Sequence, residues 1–101
     1  MSLEDNLHAE LIQSTREAKK LGYNPTSFLK ILSDFGALET AQRLLADDTA
    51  SEGFYTLAEK KRLDLSPEFT VVQPRFSELF TDHELQSAAS RLRLGRELAD
   101  G

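Results

Sequence analysis

His83 stands between Asp82 and Glu84, an imidazole flanked by two carboxylates. These residue types bind metal ions and exchange protons in acid–base catalysis. Their spacing argues against both uses, because consecutive helical residues point about 100° apart and three in a row cannot converge on one ion. Thr81 and Glu84 instead have the spacing of a capping box, and acidic side chains in a helix's first turn suit its dipole. The other histidine, His8, follows Glu4 and Asp5 by one turn on an ordinary solvated face. The chain has no HExxH, no EF-hand loop and no glycine-rich phosphate loop. Its serines fall at helix starts and polar faces without a His–Asp partnership. The absence of cysteine excludes disulfides, thiol catalysis and cysteine-ligated zinc. The expectation is a chain with no catalytic residue, no metal site and no cofactor.

Two basic clusters raise nucleic acid as a partner: Lys60, Lys61 and Arg62, and then Arg91, Arg93 and Arg96 in "RLRLGR". Brought together, they would form a modest patch for phosphates. Residues 24–45 also have the outline of a helix-turn-helix, but the second helix offers only Glu39, Thr40, Gln42 and Arg43, with Asp47 and Asp48 close behind. The whole chain has 12 basic and 17 acidic side chains, a net charge of -5, with -3 in residues 1–50 and -2 in residues 51–101. Phosphate neutralisation supplies most nucleic-acid affinity, so autonomous binding is not expected of so acidic a chain. An accessory role through a local patch is the alternative reading.

Surface chemistry of another kind comes from Tyr55, Arg62 and Arg75, residue types enriched at protein interfaces. Leu94 and Leu98 join them. Counted from Leu85 at about 100° per residue, Leu92 falls on the buried face while these two fall on the opposite one. Either the last helix ends near Arg93 and the chain turns at Gly95, leaving 94–101 as a frayed tail, or two leucines face outward. Outward leucines would suit a partner helix or a second copy.

The elements behind these residues all read as helices. Leu3, Leu7, Leu11 and Ala18 give a helix over 3–21, closed by Gly22. Asn24 as cap and Pro25 at the first helical position open a second, with a buried stripe of Phe28, Leu29, Leu32 and Phe35 ending at Gly36. A third, near 37–47, buries Leu38, Ala41, Leu44 and Leu45, and Asp47–Asp48 then form a turn. Ser51 opens a fourth over Phe54, Leu57 and Ala58. Leu63 and Leu65 pack inward from a connector. Ser66 with Pro67, then Pro74, then Thr81 mark three further helix starts, the first facing Phe69 and Val72 inward. The last helix buries Leu85, Ala88, Ala89 and Leu92.

The chain of 101 residues is 40% hydrophobic and 29% charged, which suits one globular helical domain with its core over 3–93. The expected fold is all-α, an irregular orthogonal bundle of five to seven helices whose C-terminal half is built from short ones. The polar, acidic start and short apolar runs predict neither a signal peptide nor a membrane span, so the cytoplasm is the expected compartment. "GYNPTSFLKIL", "ETAQRLL" and "GFYTLAEKKRLDLSPEFTVVQPRFSELFTDHELQSAASRL" resemble a small all-helical bacterial module, found alone or appended to larger proteins. No activity is established for that module. The resemblance implies a non-catalytic interaction or accessory domain, with an unknown protein or a second copy as partner.

Overall fold

The computed structural model describes residues 2–47 and 49–100. Six α-helices run α1 Leu3–Lys20, α2 Thr26–Phe35, α3 Ala37–Ala46, α4 Glu52–Glu59, α5 Pro67–Val71 and α6 Asp82–Asp100. Two 3-10 segments, Leu63–Leu65 and Pro74–Leu79, flank α5, and there is no strand among the described residues. The fold is all-α. The C-terminal half is less uniformly short than the sequence suggests, since α6 has 19 residues and is the longest helix. The Cα radius of gyration, 12.6 Å, matches the value of about 13 Å for a compact chain of this length.

Cap chemistry sets most boundaries. Ser2 and Asp5 form a capping box on α1, and Ser51 accepts the Phe54 N–H at the start of α4. Ser66 accepts from the Phe69 N–H and donates its own hydroxyl to Leu63 O, so one side chain ends the 3-10 turn and starts α5. Thr81 and Glu84 exchange hydrogen bonds at 2.9 and 3.1 Å, as their spacing predicts. At α2 the expectation is off by one residue. The helix begins at Thr26, Pro25 occupies the cap with no side-chain bond, and Asn24 accepts from the Thr26 hydroxyl instead. Gly36, at φ 81°, is the single residue joining α2 to α3.

The buried stripes of the middle helices differ from the expected ones. Of the α2 stripe only Leu32 is fully buried, and Phe35 is 45% exposed. The turn at Gly36 brings α3 beside Phe35, where the Arg43 guanidinium covers its ring at 3.9 Å. In α3 the buried residues are Ala37, Thr40, Ala41 and Leu45, with Leu38 and Leu44 half-buried. In α5 the inward residues are Glu68, Thr70 and Val71, and Phe69 and Val72 are half-buried. This short helix packs against α1, α3 and α6 at once, so its polar side is enclosed along with its apolar one. On α6, Ala88 and Leu92 are buried, Leu85 is half-buried and Ala89 is exposed. Asp48, read with Asp47 as a turn pair, lies outside the described residues.

The core has two parts. Leu7, Leu11, Leu32, Ala41, Phe76 and Ala88 lie in one cluster, and Ala18, Phe54, Leu57, Leu63 and Leu92 lie in the other. Helices α1 and α6 contribute to both and tie them together. Each fully buried leucine is worth about 1.5–3 kcal/mol, so neither cluster is dispensable. Among the described residues no helix is long and apolar enough to cross a membrane.

Candidate interaction face on α4 and α6

Gly95 resolves the choice left open for the tail. It is buried inside α6, and a Cβ there would stand 2.8 Å from Phe54 Cζ and 2.9 Å from Leu63 Cδ1. The residue that reads as a turn thus lets α6 pack directly onto Phe54 of α4 and Leu63 of the following 3-10 turn. The helix passes through Gly95 to Asp100, so the reading that ends it near Arg93 and leaves a frayed tail is corrected for residues 94–100. Leu94 and Leu98 remain one helical turn apart and 57% and 63% exposed.

Tyr55 reaches the same place from α4. Its ring is 44% exposed and packs edge-on against Phe54, with centroids 5.9 Å apart. A cleft of about 340 Å³ between the two helices is lined by Ala50, Phe54, Tyr55, Leu94, Gly95 and Leu98, with Thr49, Arg91 and Glu97 at its edges. Three of the five residues expected to bind protein therefore converge. The other two do not line the cleft. Arg62 makes a two-pronged bond to Asp64 at 3.0 and 3.2 Å, which holds the Asp64 carboxyl below its ordinary range. Arg75 bonds Glu10 at 2.8 Å and lies over the Phe76 ring, so it pins the 74–79 turn to α1.

The basic residues separate in a similar way. Lys61 and Arg96 line one shallow hollow, but Asp64 lies in it with them. Lys60 and Arg93 are exposed. Arg91 is not a surface cation. Its side chain is 11% exposed, donates to the carbonyls of Leu44 and Asp47, and stands 3.5 Å from the Glu68 carboxylate. The reason is geometric, since α6 crosses the C-terminal end of α3 there and carbonyls without helical partners attract a guanidinium.

Glu68 is the residue that sequence reasoning missed. It is fully buried, one carboxylate oxygen has no partner among the described residues, and burial raises its pKa against the lowering pull of backbone hydrogen bonding and Arg91. In "LSPEF" it reads only as an acid favoured by the first turn of a helix. No local signal tells that α6 will cover it.

No family model, curated protein or solved structure matched this chain.

Proposed function

We propose that this chain is a non-catalytic interaction module that associates with a second copy of itself through the α4–α6 face. The observation that carries this reading is the pair Leu94 and Leu98, exposed on a regular helix beside Tyr55. Exposed apolar surface of this kind marks an association site more often than an isolated surface leucine does. Charge favours a second copy as occupant. Arg93 and Glu97 are also one turn apart, on the solvent side of that leucine pair. Two antiparallel α6 helices related by a two-fold axis bring each copy's Arg93 to the other's Glu97, a self-complementary arrangement. Three exposed apolar residues are few beside the roughly 20–30 residues a side of a stable interface, so we expect a weak dimer, with Kd of order 10–100 μM. We place this pairing in the cytoplasm, in keeping with a cysteine-free chain.

Sedimentation equilibrium across that concentration range tests the reading. Wild type is expected to shift from monomer to dimer, Leu94→Ser/Leu98→Ser to stay monomeric, and Arg93→Glu with Glu97→Arg to associate better than either single change. A double serine variant that dimerises like wild type would sink the proposal. The alternative, an accessory role on nucleic acid, is favoured only by the convergence of Lys61 and Arg96. It requires binding that weakens steeply with salt and disappears in Lys60→Glu/Lys61→Glu/Arg96→Glu.

A further inference from the structure

The two core clusters do not meet everywhere. Between them lies a cavity of about 540 Å³, walled by α1, the 23–25 turn, α2 and α4. Leu11 and Phe28 face it from one cluster, and Ala18, Phe54 and Leu57 from the other. It opens to solvent past Asn24, Ser27, Ile31 and Glu52, all exposed. Ligand sites occupy roughly 300–1,000 Å³, and this cavity falls inside that range.

Its rim is braced. The Tyr23 hydroxyl lies where a Cβ on residue 53 would stand, so the bare backbone of Gly53 lets the tyrosine reach from the turn onto α4. Pro25, buried two residues after Tyr23, stiffens the same turn. Its polar side chains are Ser14 and Thr15 on the α1 wall, Thr56 on α4, and Tyr23, Asn24, Ser27, Ser51 and Glu52 around them. The Thr15 hydroxyl donates to Leu11 O at 2.7 Å, which leaves its oxygen free to accept a further bond.

Charge selects the ligand. Among the described residues that line the cavity, Glu52 is the only charged one, and no lysine, arginine or histidine is present. Glu52 is near enough to Tyr23 for its charge, after burial, to help raise the phenol's pKa. An anionic headgroup would meet a carboxylate and no cation. A cationic one would meet that carboxylate with the Tyr23 phenol beside it, and carboxylates and aromatic rings both attract ammonium groups.

We propose that this cavity is a binding site for a small amphiphilic amine. The apolar body lies among Leu11, Phe28 and Leu57, and the ammonium lies at the mouth between Glu52 and Tyr23. The site is separate from the α4–α6 cleft, although Phe54 lines both.

Titration of the full chain with n-octylamine, 1-octanol and octanoate, followed by amide NMR shifts, tests the assignment. The amine is expected to bind about tenfold more tightly than octanoate, the sum of a modest ion pair and a cation–π contact. Shifts should centre on Ala18, Gly53 and Thr56. Glu52→Gln should cut the amine's advantage over octanol to the few-fold that the cation–π contact alone supplies. Ser27→Trp, at an exposed position on the rim, should block all three probes without touching the core. The proposal is overturned if octanoate binds as well as the amine, if shifts centre on Leu94 and Leu98, if Ser27→Trp changes nothing, or if no probe saturates below millimolar concentration.

Discussion

From Asp82 to Leu92, α6 buries Ala88 and Leu92 against α5 and its neighbours, half-buries Leu85 and leaves only the small Ala89 exposed among its apolar residues. From Arg93 to Asp100 the same helix buries a glycine and leaves Leu94 and Leu98 in solvent. The contrast separates two things that are often equated, the side of a helix that is buried and the side that is apolar. At Gly95 the core is filled from across the contact, by Phe54 and Leu63, so α6 needs no large side chain there. The two leucines are thus surplus to the fold of one copy, and their apolar area is available to a second.

Arg91 sits at the junction of the two halves, and replacing it is the harshest way to break the comparison. Arg91→Ala frees the Leu44 and Asp47 carbonyls and removes the cation beside Glu68. Breaking a buried ion pair by removing one partner costs about 3–5 kcal/mol, so urea denaturation should show a loss of that order. A loss below about 1 kcal/mol would mean that the first half of α6 does not depend on its bonds to α3.

A finer measurement concerns Glu68. Its folded pKa is raised above the ordinary 4.5, so the folded chain holds this proton more tightly than the unfolded one. The group therefore favours folding at pH below 4.5 and costs stability progressively as pH rises from 4.5 through the raised value. Glu68→Gln removes this dependence. Its stability relative to wild type should climb across that window and level off above it, and a flat difference would show the buried carboxylate to be as comfortable as one in water.

The smallest expected effect is the most informative. If Leu94 and Leu98 are surplus to one copy, the double serine variant should keep its monomer stability within about 0.5 kcal/mol, measured at concentrations below dimerisation. A loss of 2 kcal/mol or so, the scale of a core leucine, would erase the distinction between the two halves.

The features legible in the sequence were those decided within one turn of helix. Ser51, Ser66 and Thr81 announce helix starts because a cap is a bond between a side chain and a backbone N–H three residues on. Pro74 opens its 3-10 turn for an equally local reason. Leu94 and Leu98 could be placed by phase alone, once the helix was known to continue. What was not legible came from distant chain. Phe35 reads as core until Arg43 covers it from α3. Glu68 and Thr70 carry no local sign of burial, which follows only from the three helices that enclose α5. Arg91 reads as a free cation because its partners stand 44 and 47 residues away, beyond any local pattern.

Gly53 and Gly95 have a consequence for how such a chain can change over generations. In an open helix alanine is better than glycine by about 1 kcal/mol, and drift would ordinarily carry both positions towards it. Here a single methyl collides with Tyr23 at one and with Phe54 and Leu63 at the other. Each glycine is therefore tied to the side chains that fill its place, Tyr23 for Gly53 and Phe54 with Leu63 for Gly95. A lineage that loses either glycine must also move or trim those side chains, so the positions of each set are expected to vary as a unit.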